Sequence, residues 1–158
     1  MKHSLAQVWQ GPEMIRFTSF EAFPMAPEDM ARALKPFALP QAETLVAQWA
    51  QAEGPIRRLT LPGIEAEVIL GDARETLPRW ERKADAWFLD GFAPARNPEL
   101  WNEALMAEVG AHTAPGGTVA TYTAAGHVRR ALEQAGFDVT RQPGFGRKKH
   151  MTTGRKPA

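Results

Sequence analysis

A chain of 158 residues is long enough for one domain with a single core, and 44% hydrophobic against 23% charged residues is the balance of an ordinary folded domain, which excludes a disordered tract or a fibrous protein. Nineteen Lys and Arg against eighteen Asp and Glu leave a formal charge of +1, so charge alone neither demands nor rules out a nucleic-acid partner. The lack of cysteine excludes a disulfide framework and a thiolate metal site; no apolar run reaches the roughly 18 residues of a membrane span and the first residues lack the apolar core of a secretion signal, so a cytoplasmic location without membrane contact is the default expectation.

In chain order, residues 5–10, LAQVWQ, read as the end of a helix stopped by Gly11-Pro12. EMIRFTSFE, rich in aromatic and β-branched residues, is expected to be a strand that finishes at Glu21. APEDMARALKPF places a proline and two acids in the first turn of a helix, where the helix dipole favours negative charge. Pro40 introduces a second helical run, QAETLVAQWAQA, with Leu45, Val46 and Trp49 on one face and Gly54-Pro55 at its end. IRRLTL and EAEVILGD flank Pro62-Gly63 and read as a hairpin or as a strand with an irregular lead-in, and a short helix is expected at about 74–82.

ADAWFLD is a nearly continuous apolar run, expected to be a strand covered on both faces. PELWNEALMAEVGAHT carries Leu100, Trp101, Leu105, Met106 and Val109 at helical spacing; Arg96 and Asn97 before it either contact a substrate or cap a helix that starts near Pro98, and Asn in that position favours capping. GGTVATYT is a second buried strand, GHVRRALEQAG a helix with Gly136 past its end, and FDVTRQ and KKHMTTG the last strands. Strand and helix alternate over most of the chain, which predicts an α/β fold with a mostly parallel sheet and helices on both faces, in one domain over residues 1–158. Trp49, Trp80, Trp87 and Trp101 fall in amphipathic or buried runs and are assigned to the core, and the four histidines show no metal-ligand spacing.

In open parallel sheets ligands bind beyond the carboxyl ends of the strands. Three of the expected strands end there in a carboxylate: Glu21 after RFTSFE, Asp72 after EVILG and Asp90 after AWFL. Polar residues commonly end strands, but three carboxylates on one rim suit a nucleotide-like ligand, one accepting from ribose hydroxyls and one from an adenine amine. The segment Asp90-Gly91-Phe92-Ala93-Pro94 adds a glycine expected to allow a tight turn, a proline that stiffens the loop, and a phenylalanine that either offers a flat stacking surface or packs on a helix. After Val139 the chain carries Arg141, Arg147, Lys148, Lys149, His150, Arg155 and Lys156 and no carboxylate side chain. Such a segment, with Phe145 beside it, either contacts RNA phosphates and an extruded base or is a solvated charge run.

DAWFLDGFAPARNPELW, PGGTVATYTAAGHVRRALEQAGF and GFGRKK together resemble the methyltransferase half of the bacterial tRNA 5-methylaminomethyl-2-thiouridine biosynthesis bifunctional protein family and its stand-alone relatives, and FTSFEAFP resembles that family's second-strand motif. The resemblance runs over essentially the whole chain. It implies a class I, Rossmann-like, S-adenosylmethionine-dependent methyltransferase that methylates the primary amine of 5-aminomethyl-2-thiouridine at the wobble position of certain tRNAs. Carried over by residue, Glu21 would hold the cofactor ribose, Asp72 would lie against its adenine, and Asp90 would border the cofactor and serve as the catalytic carboxylate. Phe92 and Pro94 would shape the pocket for the modified base, with Arg147, Lys148 and Lys149 on the tRNA. No metal is implied, since the sulfonium is already an activated methyl donor; a flavin enters only with an oxidase carried elsewhere. An alkylammonium has no lone pair, so a carboxylate that accepts its N–H and aims the nitrogen fits the chemistry, as an orienting acceptor more than a strong base.

Relatives of this kind open with a first strand and a glycine-rich loop against the methionine part of the cofactor, whereas the one glycine here before Gly54 is Gly11. The expectation is therefore a domain shortened at its N-terminus, in which the two neighbours of the central strand lose a hydrogen-bonding partner or pair directly. The chain is also expected to lack the oxidase domain. The competing expectations are a non-catalytic tRNA-binding or partner-binding remnant, and a nucleotide-binding enzyme such as a dehydrogenase, against which the missing glycine fingerprint and the Asp-Gly-Phe-Ala-Pro segment both count.

Overall fold

The structure, a computed structural model, describes residues 14–146 and 148–158. The helical end expected at residues 5–10 and the basic residue Arg147 lie outside the described residues. The chain divides into two compact units between Asp72 and Ala73. Among the described residues no helix is long and apolar enough to cross a membrane.

In the first unit, β1 (Ile15–Glu21) leads to α1 (Pro27–Leu34), a 3-10 turn at Lys35–Phe37, α2 (Ala42–Gln51), and the strands β2 (Ile56–Leu61) and β3 (Ile64–Leu70). Pro27 opens α1 and Glu28 and Asp29 follow in its first turn, as the dipole favours. β2 and β3 form an antiparallel hairpin through Pro62-Gly63, the first of the two forms expected there, and β1 runs parallel to β3 with Glu21 opposite Leu70. The strand order is β1-β3-β2. Among the described residues β2 is an edge strand, and a side chain meets its outer backbone: the Gln48 amide donates to the Thr60 carbonyl and accepts from its N–H, both at 2.7 Å. Trp49 is buried, bonds the Met25 carbonyl through Nε1 at 2.8 Å and carries the Arg57 guanidinium over its ring at 4.2 Å.

The second unit begins with α3 (Ala73–Thr76) and a 3-10 turn at Leu77–Arg79, followed by β4 (Ala84–Leu89). The helix expected at about 74–82 is thus cut short, because Pro78 disfavours the α conformation at the residue before it and brings no N–H of its own. Next come α4 (Glu103–Ala111), β5 (Thr113–Thr121), α5 (Gly126–Gln134), β6 (Asp138–Pro143) and β7 (His150–Arg155), in the sheet order β4-β5-β7-β6. β4 and β5 are parallel, while β5 with β7 and β6 with β7 are antiparallel. The α/β class is as expected, but the sheets are mixed: two ladders are parallel and three antiparallel, since both β2-β3 and β6-β7 return on themselves as hairpins. Leu105, Met106, Val109, Val119, Val128, Leu132 and Phe137 fill the core of this unit. Two buried threonines tie it together: Thr113 Oγ1 donates to the Val109 carbonyl and accepts from Trp87 Nε1, and Thr152 Oγ1 donates to the Thr123 carbonyl.

Two expectations for β4 and α4 need correction. β4 is not covered on both faces: Trp87 packs edge-on against Trp80 at 5.8 Å, but Phe88, on the opposite face, is 80% exposed. Among the described residues β4 has β5 as its one ladder neighbour and β1 has β3, so each is an edge strand of its own sheet. The helix cap is Asn102, not Asn97. Pro98–Trp101 forms a single 3-10 turn that seats Trp101 in the core, the backbone then extends at Asn102 (ψ 162°), and the Asn102 side chain accepts from the Leu105 N–H at 2.8 Å. Asn97 stands before the 3-10 turn and makes no side-chain cap hydrogen bond.

Candidate functional site

Because β4 and β5 are parallel and Leu89 stands opposite Thr121, their carboxyl ends lie at the same level of the second sheet. The next residues outward are Asp90 and Tyr122. β7 runs the other way, with Thr152 opposite Thr121, so its first residues reach the same rim, and Phe145 and Lys148 of the connection from β6 line the opening there. The result is an open cleft of about 380 Å³ lined by Phe88, Leu89, Asp90, Ala120, Thr121, Tyr122, Phe145, Lys148 and Met151, a volume in the range of small-ligand sites.

Tyr122 is the fixed element of this cleft. Its hydroxyl donates to the Gly91 carbonyl at 2.6 Å and its ring stands edge-on to buried Trp101, 6.3 Å between centroids and 87° between planes. Trp101 in turn donates from Nε1 to the Phe92 carbonyl at 2.8 Å. The segment after β4 is therefore held by two aromatic side chains through consecutive backbone carbonyls, which fixes where Asp90 sits. Gly91 plays a different part from the one expected: it is not in the left-handed region, and a Cβ there would stand 3.4 Å from Leu100 Cδ1 and 3.5 Å from Trp101, ordinary packing distances. Pro94 does stiffen the loop, in the second position of a turn whose Ala93 carbonyl accepts from Arg96 N–H at 2.7 Å.

The Asp90 side chain is exposed and has neither hydrogen bond nor ion pair among the described residues. Lys148 shares the cleft and places its ammonium over the Tyr122 ring, 4.9 Å from the centroid. The loop that carries it closes through Gly144 N–H to the Lys149 carbonyl at 3.0 Å and Lys148 N–H to the Phe145 carbonyl at 3.2 Å. Phe92 is 76% exposed, and neither it nor Pro94 nor Lys149 lines the cleft.

The other two strand-end carboxylates belong to the first unit. Glu21 closes β1, its backbone carbonyl accepts from Gly71 N–H at 3.0 Å, and Asp72 is the next residue, so parallel pairing brings Glu21 and Asp72 to one rim. Glu21 Oε1 accepts from Phe23 N–H at 2.9 Å, which anchors the carboxylate at the strand end. This rim suits S-adenosylmethionine in the chemistry of its acceptors: a carboxylate beyond a parallel strand can accept from vicinal ribose hydroxyls.

A second depression, about 480 Å³ and lined by Pro98, Trp101, Asn102, Glu103, Ala104 and His127, lies at the start of α4. Two of its lining residues already serve the chain, Asn102 as the cap and Trp101 as the anchor of Phe92. Tyr122, Phe88 and Met151 were not singled out by sequence reasoning. The available signal was Tyr122 as the single tyrosine of the chain, at the carboxyl end of a buried strand.

A Rossmann-like α/β fold with carboxylates beyond its parallel strands is the architecture of S-adenosylmethionine-dependent methyltransferases. The model of a family described as S-adenosyl-L-methionine-dependent methyltransferase matches residues 38–157, and the chain belongs to that family. Among curated proteins it is similar to the tRNA 5-methylaminomethyl-2-thiouridine biosynthesis bifunctional protein MnmC of Ectopseudomonas mendocina (strain ymp), 46% identical over 144 residues, covering 89% of this chain and 22% of that protein. The protein of the same name from Caulobacter sp. (strain K31) is 44% identical over 144 residues, covering 89% of this chain and 24% of the relative. The chain thus spans about a quarter or less of the length of these relatives. Of solved structures, MNMC2 from Aquifex aeolicus shares the fold, with a TM-score of 0.62 and 24% identity over 90% of this chain and 55% of that chain.

Proposed function

We propose that the chain transfers a methyl group from S-adenosylmethionine to the primary amine of 5-aminomethyl-2-thiouridine in tRNA, giving 5-methylaminomethyl-2-thiouridine. The observation that carries this is the exposed Asp90 carboxylate, held at the strand end beside an aromatic-lined cleft and without a hydrogen-bonding partner among the described residues. The names of the relatives supply the nucleoside.

S-adenosylmethionine supplies an electrophilic methyl group on a sulfonium, so the acceptor needs only a free lone pair aimed at it. The work left to the protein is to take a proton from the alkylammonium and to hold the nitrogen in line. Asp90 accepts a hydrogen bond from the amine and orients it; the proton leaves through this carboxylate to solvent, to which Asp90 is open. Glu21 accepts from the ribose hydroxyls of the cofactor, and Asp72, beside it on the rim, serves the adenine. Phe92 presents its face to the modified base and Pro94 keeps that loop in place. Arg147, Lys148 and Lys149 meet tRNA phosphates, with affinity that falls as salt rises. A flavin-dependent oxidase is the proposed reaction partner.

The test is to incubate the full chain with S-adenosylmethionine and tRNA that carries the primary amine, then digest the RNA and weigh its nucleosides. The expected product is one methyl heavier at the aminomethyl uridine. Unchanged nucleosides, from a chain that binds S-adenosylmethionine, would sink the proposal.

A further inference from the structure

Lys148 is placed unusually for a residue that meets phosphate. Its ammonium points back onto the Tyr122 ring, 4.9 Å from the centroid, within the cleft that holds Asp90, yet it makes no ion pair with Asp90. A lysine side chain ends in a primary alkylammonium on a flexible stem, the same group as the reactive end of an aminomethyl uridine. The two partners of this contact differ in mobility. Tyr122 is fixed through its hydroxyl on Gly91 and its ring on Trp101, whereas Lys148 is exposed and sits on a hairpin connection tied by two backbone hydrogen bonds. Phe145, 93% exposed, and Phe88, 80% exposed, flank the same opening.

We propose that the face of Tyr122 is a seat for the substrate's alkylammonium, and that Lys148 is an internal stand-in that occupies the seat until RNA draws it away. The inference rests on the proposed amine chemistry and adds two things to it: a residue that receives the cation, and a link between phosphate binding and access to Asp90. A cation on the quadrupole of a tyrosine is attracted to the ring face, and two cations cannot share one face. In the free protein the substrate amine competes with Lys148. In the RNA complex a phosphate offers Lys148 a stronger, charge-assisted partner, its side chain swings outward, and the seat opens. Lys148 therefore opposes binding of the bare nucleoside and favours binding of the whole RNA.

The two signs make a direct test. The full chain and its Lys148→Ala variant are titrated, without S-adenosylmethionine, against the nucleoside 5-aminomethyl-2-thiouridine, against 2-thiouridine, and against tRNA. Removing one exposed cation–π competitor is expected to tighten the aminomethyl nucleoside by about twofold to fivefold, to leave 2-thiouridine unchanged, and to weaken tRNA. No gain for the aminomethyl nucleoside, an equal gain for 2-thiouridine, or no nucleoside binding by either protein overturns the inference. A chain that methylates tRNA while Lys148→Ala gains nothing keeps the proposed function and loses the seat. The nucleoside gain without any methylation does the reverse.

Discussion

Glu21, Asp72 and Asp90 are the residues that the sequence marked most clearly, because each is a carboxylate at the point where a run of aromatic or aliphatic strand formers stops. Glu21 serves two purposes. One carboxylate oxygen fixes the turn through Phe23 N–H, and in the proposed function the carboxylate holds the cofactor ribose. Hydrogen bonds to a charged group contribute about 1.5–3 kcal/mol, so Glu21→Ala is expected to weaken S-adenosylmethionine by roughly tenfold to a hundredfold in a calorimetric titration. An unchanged affinity would leave Glu21 with its structural duty alone. Tyr122 was not legible in the same way. In GGTVATYT it reads as one more aromatic of a buried strand, and its hydrogen bond spans 31 positions to Gly91, a partner that no local pattern names.

Among the loops, two glycines that look alike in sequence have opposite roles. Gly91 follows a strand and reads as a turn residue, yet an added Cβ meets Leu100 and Trp101 at normal distances. Gly144 opens the loop over the cleft, and an added Cβ would overlap the Lys148 carbonyl and lie 3.0 Å from the His150 nitrogen, both backbone atoms that cannot turn aside. Gly91→Ala is therefore expected to leave stability within about 0.5 kcal/mol or to raise it slightly by restricting the unfolded chain. Gly144→Ala is expected to lower stability by about 1–3 kcal/mol, as overpacking does, and to displace Lys148. Urea denaturation of both variants checks the pair, and equal effects would contradict it. Cap assignment met a similar limit. Asn97 and Asn102 stand five positions apart before helix-compatible residues, and the choice falls to Asn102 because burial of Trp101 absorbs the intervening turn.

For the molecule as a whole, alternation of strand and helix was legible over most of the described residues, and Pro62-Gly63 marked either a hairpin or an irregular strand, of which the chain forms the hairpin. The burial of β4 was not. An apolar run shows that a strand has something to cover, but which face is covered depends on neighbours that local sequence does not specify, and here Phe88 stays open at the cleft. The charge pattern was equally plain: a net charge of +1 hides a C-terminal segment without a carboxylate side chain. If Lys148 is drawn onto phosphate, the tRNA affinity of Lys148→Ala should fall less steeply with salt, the log–log slope shrinking by about one. A slope equal to that of the unaltered chain would place Lys148 away from the RNA backbone.

The most direct measurement is the single-turnover rate of methyl transfer to aminomethyl-bearing tRNA for the unaltered chain and for Asp90→Asn, with S-adenosylmethionine affinity measured alongside. Asp90 is exposed and its side chain makes no bond among the described residues, so the variant should remain folded. The expected result is a fall in rate of about a hundredfold or more with cofactor affinity largely kept. Transfer at a near-unaltered rate would contradict the assignment of Asp90 as the group that orients the amine.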